Sequence, residues 1–486
     1  MSEGMAVKIG IMAAGSLMFG ILVASRSRRE AGKDDYGYRP RYLGYVSGAV
    51  LPAAVLTWGI LSFLWYGSRA AAQALISVCF GIFLHISIYY ILLLLFLPFF
   101  RERISARACA MLWMIPNYLY LTEMGGMEVP EPALVLRAPE RLVWGVFAVW
   151  LLGFAGVLGW SILSHLRFRR QILSTAREVT DPAVLAIWEE ELKNANFIDP
   201  WFRLVTSPAV SSPLSIGLLR HAARVVLPER SYSAEDLRLI FRHELIHIGR
   251  EDSWSKFFLV FCTAMCWFHP FMWKAMRKSA EDLELSCDET VLTGADEDTR
   301  RRYAGLILET AGDGRGFTTC LSAAASSLRY RLKNIVRPPR TYSGAMTVGL
   351  IFFLLSMSCG YVALAYGGGM GADIFFGKRE PSACSLAYVD NVDSTLYTPL
   401  ACIDETAFYE YLSSMELREL TGNYGFEEKR RKIAFRWDTP DGSFSAILSD
   451  DMMRLVPFGE RAEPKLYYLP EKTDWEYLDM ILEPAS

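Results

Sequence analysis

The chain has 486 residues, 52% of them hydrophobic and only 21% charged, a balance that leans toward a membrane protein of two or three domains. A formal charge of −3 gives no footprint for a general nucleic-acid binder, so direct nucleic-acid binding is not expected. Nine cysteines with no C-x-x-C pair argue against a disulfide scaffold and against a cysteine-based zinc knuckle.

Taken in order, residues 9–25 are apolar, and Arg26, Arg28, Arg29, Lys33, Arg39 and Arg41 follow them. A signal peptide carries its positive charge ahead of the apolar run. Here the charge comes after it, which predicts an uncleaved helix ending in the cytoplasm. About 45–66 is read as a second span, Gly67-Ser68-Arg69 as a turn, and about 72–100 as a third span. Arg101, Arg103 and Arg107 then mark a cytoplasmic loop. Residues 108–122 are short for a crossing and contain Pro116. The strong run at 142–164, however, ends at Arg167, Arg169 and Arg170, so it has to begin outside. Residues 108–122 are therefore expected to cross, and 123–140 to be external.

The stretch with the most chemistry is 241–252, which contains His243-Glu244-Leu245-Ile246-His247. On a helix, residues four apart share a face, so His243 and His247 can hold one metal ion. Glu244 can then serve as general base toward a metal-bound water. Ser233 with Asp236 predicts the helix start, and Leu237, Ile240, Phe241 and Leu245 give it an apolar stripe. A buried histidine pair on a structural helix is the bland alternative. It is weakened because two of the chain's six histidines fall here beside a glutamate. Downstream lie Glu281, Asp282, Glu284, Asp288 and Glu289, with Glu284 and Asp288 in an E-x-x-x-D pattern. Two histidines and one carboxylate are a standard set for an open zinc site, and Glu284 is the expected third ligand. His269 and Glu281 remain rivals for that place. Asp288, one turn beyond Glu284, is positioned to orient a ligand's free ring nitrogen.

The apolar run Phe257–Trp273, broken by His269-Pro270, is not read as a span, because crossing there would put Glu284 on the opposite side of the membrane from His243. Residues 343–366 are read as the last span, and Gly367-Gly368-Gly369 as a hinge. Beyond them a helix is expected at 404–419. Alternating Ile433, Phe435 and Trp437 predict a strand, and Asp438–Gly442 a hairpin turn. Cys384 and Cys402 either pair or remain reduced.

The fold class expected is a mainly α polytopic membrane protein with six transmembrane helices. It would carry a cytoplasmic gluzincin-like zinc metallopeptidase domain and a small α+β extracytoplasmic C-terminal domain. The divisions are an N-terminal hairpin at 1–70, core membrane helices at 71–165, the peptidase at 166–342, the last helix at 343–367 and a sensor at 368–486.

The whole array resembles the BlaR/MecR type of antirepressor metallopeptidase receptor. The resemblance rests on Arg103-Ile-Ser-Ala-Arg107 with Trp113, Ser212-Pro-Leu-Ser-Ile-Gly217, Leu227-Pro228, His243 through Asp252, Trp267-Phe-His-Pro270, and Glu284 through Glu289. It covers roughly 72–366. It implies one Zn2+ held by His243, His247 and Glu284, with Glu244 as the catalytic base and Asp252 and Asp288 as the carboxylates that orient the ligands. Cys287 is expected as a packed thiol. The resemblance further implies a bacterial plasma-membrane location, a cytoplasmic winged-helix repressor as protein substrate, contact with membrane lipid and an extracytoplasmic ligand, with a homodimer left open. Self-cleavage would fall in 313–326. Two departures stand out. Extra spans precede the shared core, and the C-terminal part has no Ser-x-x-Lys: Ser385, Ser394 and Ser413 lack the lysine, and Lys472-Thr473-Asp474 is not Lys-Thr-Gly. An acyl-enzyme sensor is therefore not expected. A quality-control membrane protease and a receptor with a merely structural metal are the competing readings.

Overall fold

The computed structural model describes residues 3–30, 48–119, 134–137, 140–195, 197, 202–218, 222–310, 325–338, 341–357, 362–377, 379–393, 396–420, 431–440, 442–457 and 464–484. The expectation of six spans and a mainly α fold is overturned. Among the described residues only two helical segments, Cys79–Arg103 and Trp144–Ser174, are long and apolar enough to cross a membrane. In addition, a large mixed sheet of ten strands is present.

Three of the four lost spans have a local cause. The turn at Gly67-Ser68-Arg69 does not form, and one helix runs unbroken from Val50 to Arg103. A single glycine costs a helix only about 1 kcal/mol relative to alanine, and Ala70, Ala71 and Ala72 follow it directly. Residues 108–119 form no helix long enough to cross either. Helix Ala106–Leu112 is capped by the Ser105 side chain and is buried from Ala108 to Leu112. The apolar helix at the supposed last span is only 13 residues long, Ala345–Met357, and the chain then enters a strand.

That strand, β6 (Val362–Met370), runs parallel to β1 (Leu134–Arg137) and antiparallel to β9 (Glu416–Leu420). The glycines read as a hinge lie in this ladder. Gly368 has φ +156°, and a Cβ there would stand 2.2 Å from the Leu417 carbonyl oxygen, so the close pairing itself requires glycine. The remaining strands of the large sheet are β7 (Ser385–Asp393), β8 (Leu396–Cys402), β10 (Lys432–Thr439), β11 (Gly442–Leu448), β12 (Met452–Pro457), β13 (Lys465–Tyr468) and β14 (Leu482–Pro484). Their order is β1-β6-β9-β13-β12-β11-β10-β7-β8-β14. β10 and β11 form a hairpin closing at Thr439 and Gly442, and Ile433, Phe435 and Trp437 enter a core shared with helix Glu405–Ser414. Cys384 and Cys402 are free thiols.

The helix Glu140–Ser174 turns most of its apolar surface outward, since only 11% of its apolar window is buried. A helix of that kind needs a non-aqueous surface to lie against. A four-stranded sheet, β2 (Arg177–Glu178), β3 (Arg203–Thr206), β5 (Arg224–Leu227) and β4 (Leu214–Ile216), precedes the motif helix Ala234–Arg250. The apolar run at 257–273 packs inside over 258–266, while Phe268 and Phe271 are exposed. Helix Asp252–Met265 buries Phe258, Leu259, Phe261 and Cys262. It is tied to the outward-facing helix by Trp150, whose Nε1–H donates to the Met265 carbonyl at 2.8 Å.

Candidate metal centre

The motif helix begins with Ser233 accepting from the Asp236 N–H and buries Leu237, Ile240, Phe241 and Leu245 on one side. The same twist brings His243 and His247 into the interior, 3% and 2% exposed, together with Glu244 at 1%. Their Nε2 atoms face each other at 3.1 Å. Two nitrogens bound to one tetrahedral zinc at about 2.0–2.1 Å would stand roughly 3.3 Å apart. Glu284, on helix Pro270–Val291, presents Oε2 at 3.7 Å from His243 Nε2 and 3.8 Å from His247 Nε2. That oxygen is buried and makes no hydrogen bond among the described residues. A buried carboxylate oxygen facing two imidazole nitrogens is what a divalent ion would satisfy, so these residues fit a metal.

Cys287 also comes within 4.8 Å of a nitrogen of each histidine. Its Sγ, however, meets His243 at Nδ1, at 3.4 Å, and leans toward the His243 carbonyl at 3.5 Å. Cys287 touches His247 as well, but Glu284 Oε2 faces both Nε2 atoms while the sulfur meets His243 at Nδ1, so Glu284 is the better third donor. The other two rivals are engaged elsewhere. Glu281 pairs with Arg101 and Lys278, and the His269 ring lies against Phe83 and Phe271.

The groups behind the ligands differ between the two histidines. Glu251 adopts a left-handed conformation, φ 56°, which ends the motif helix and turns the chain back. Asp252 thereby accepts from His247 Nδ1–H at 2.6 Å. His243 Nδ1–H meets no carboxylate directly: it donates to the Tyr303 hydroxyl at 2.7 Å, which donates to Asp288 Oδ1 at 2.8 Å. Asp288 lies 3.8 Å from the imidazole and acts through the phenol. Arg331 holds Asp288 with two hydrogen bonds of 2.8 Å and comes within 3.4 Å of Glu284 Oε2. Lys256 Nζ holds the other oxygen, Oε1, at 3.3 Å, leaving Oε2 toward the histidines. Tyr303, Arg331 and Lys256 carry no signal in the sequence near the motif.

The electrostatics point the same way. Burial works against charge on both imidazoles. Cys287 and Glu284 outweigh it, so His243 is pushed up to about 10 and His247 well above its ordinary value. Burial likewise opposes ionisation of Glu284, but Lys256, His247 and His243 hold it well below the usual carboxylate range. The pocket thus favours a cation, whether proton or metal. Because the protonated histidines must give up protons to coordinate, metal uptake at pH 7 should release protons, and apparent affinity should climb as pH rises toward about 10. Titrating metal-free protein in weak buffer measures this; uptake without acidification would contradict it. Asp252→Asn removes the charge behind His247 and should weaken metal binding about 10–100-fold, read by competition with a chelating dye.

Comparison with known proteins agrees with the geometry. Residues 130–335, which contain every group named at the centre, match the family model described as BlaR1 peptidase M56. That segment is similar to the BlaR1-type peptidases. The regulatory protein BlaR1 of Bacillus licheniformis is 27% identical over 187 residues. The match takes in 38% of this chain and 30% of that relative, so most of both proteins lies outside it.

Proposed function

We propose that this chain is a membrane-embedded zinc endopeptidase that couples an extracytoplasmic signal to cleavage of a cytoplasmic transcriptional repressor, of itself, or of both. The observation that carries the reading is the convergence of two imidazole nitrogens and an unbonded carboxylate oxygen, all within 3.8 Å, beside a buried glutamate in the same helix. His243, His247 and Glu284 would hold the ion, which when bound polarises a scissile carbonyl and acidifies water. Asp252, Tyr303 and Asp288 fix which nitrogen of each histidine carries a proton and keep both Nε2 lone pairs turned inward. Glu244 takes the proton of the attacking water and returns it to the leaving amine. The signalling part of the proposal is supported by the BlaR1 likeness, by the outward-facing apolar helices and by a C-terminal sheet with a core of its own. The expected self-cleavage segment, 313–326, lies outside the described residues except for its last two.

Metal removal tests the reading. New chain termini formed in the full-length protein in membranes should vanish on chelation and return with Zn2+. Cleavage indifferent to chelation would overturn it.

A further inference from the structure

Arg101, Arg103 and Arg107 read in the sequence as a mark of membrane topology. Two of the three instead grip helix Pro270–Val291, which carries Glu284. Arg101 Nε–H donates to Asp282 Oδ1 at 2.7 Å, and its Nη2 reaches Glu281 at 3.4 Å. The Trp113 indole N–H donates to the other oxygen of Asp282, also at 2.7 Å. Asp282 is 0% exposed, and a carboxylate so buried depends on its partners. Further along the same helix, the Arg107 backbone N–H donates to Glu289 at 3.2 Å, and the Arg107 guanidinium lies 3.8 Å from that carboxylate. The Tyr89 and Tyr90 hydroxyls donate to the carbonyls of Leu112 and Trp113 at 2.6 and 2.8 Å, which ties the short helix Ala106–Leu112 back to the long helix Val50–Arg103. Both grips therefore come from one block.

The helical period decides what the grips do. Seven residues bring a helix back to within about 20° of its starting direction and about 10.5 Å further on, so Asp282 and Glu289 share one face. Two residues turn it by about 200°, so Glu284 points almost the opposite way, and Asp288 shares that second face with it. One face is held by the arginines at two heights, and the other meets His243 and His247. A rotation that freed Asp282 would swing Glu284 Oε2 off the two Nε2 atoms. We propose that Asp282 is a positioning residue for the metal centre: through it, Arg101 and Trp113 set the height and rotation at which the helix offers Glu284 to the ion. Arg101 lies in Cys79–Arg103, one of the two segments apolar enough to cross a membrane, so a shift of that segment is handed to the third ligand. The inference deepens the proposed function and rests on it for the presence of the ion.

The test is Co2+ binding to metal-free, full-length protein in detergent, followed by the visible bands of the bound ion and by competition with a chelating dye. Arg101→Gln should weaken Co2+ at least about tenfold, the scale on which groups behind a ligand act, and change the shape of the bands. Arg103→Gln removes the same charge two residues on, from a side chain that is 53% exposed, and should change neither. In an Asp282→Asn background Arg101→Gln should add little, because the two residues act in series. Glu289→Ala, at a partly exposed position that spares the fold, should by itself weaken Co2+ at least about threefold. It serves as the test if Arg101→Gln does not fold. Denaturant melting runs alongside. A merely structural pair would lower the melting midpoint and leave the bands and affinity of the folded protein as they were, and that outcome overturns the proposal. Additive effects of Arg101→Gln and Asp282→Asn on affinity do the same. Parent protein that binds Co2+ while the variants bind it equally well removes this inference alone, whereas parent protein that binds none removes the metal reading and this one with it.

Discussion

Glu244→Gln should leave the protein folded and its metal content unchanged while cutting the cleavage rate by about 10²–10⁴-fold, the usual contribution of a positioned general base. The reason is geometric. Glu244 follows His243 on a helix whose fold depends on Leu237, Ile240, Phe241 and Leu245, and it is not one of the three groups that converge on the metal position. Glutamine keeps its size in a site only 1% exposed, so packing survives and only the basicity is lost. The measurement pairs metal analysis of the purified variant with counting of new chain termini. A variant that cleaves normally, or one that loses its metal along with its activity, would remove Glu244 from the role of base.

Arg331→Met should be among the most destabilising single changes in the peptidase domain, about 3–5 kcal/mol, because it leaves Asp288 charged and buried with its strongest partner gone. That is a large share of a typical domain's total stability of about 5–15 kcal/mol. Burial works against the charge on Arg331, but Asp288 and Glu284 hold it firmly protonated, so deprotonation offers no escape. Denaturant melting in detergent measures the loss. Adding Asp288→Leu to Arg331→Met should restore part of it, since a buried pair removed as a whole costs far less than a pair broken. If the single variant melts like the parent, the Arg331–Asp288 pair is not the brace that its two 2.8 Å hydrogen bonds indicate.

Part of the metal centre is legible in the sequence because it is local. His243, Glu244 and His247 follow from the period of one helix, and the Glu284–Asp288 spacing marks a second. Asp252 is near in sequence, but its contact with His247 needs the left-handed turn at Glu251, which a glutamate does not advertise. Tyr303, Arg331 and Lys256 reach the site from three other helices and leave no periodic trace. The membrane part misleads for a different reason. Hydropathy reports that a run is buried or lipid-facing, and it does not report what buries it. The run at 108–122 is apolar because Trp113 and its neighbours are packed inside, with the Trp113 indole N–H donating to Asp282 at 2.7 Å. The run at 343–366 is apolar because its first half is a short helix and its second half a strand between two others.

The pairing of β1 with β6 has a practical meaning. β1 is four residues long, and only two residues separate it from the helix Glu140–Ser174. β6 follows the helix Ala345–Met357 after only four. The sheet is thus stitched to two helices by adjacent threads, and a tug on its edge is felt by both. Val135 is buried in one cluster with Ala363, Ala365, Leu420 and Met452. Cutting the chain before β6 would not subtract a detachable ornament: it would bare an apolar edge beside the start of the helix Glu140–Ser174, and a truncated protein would report that injury along with the missing domain.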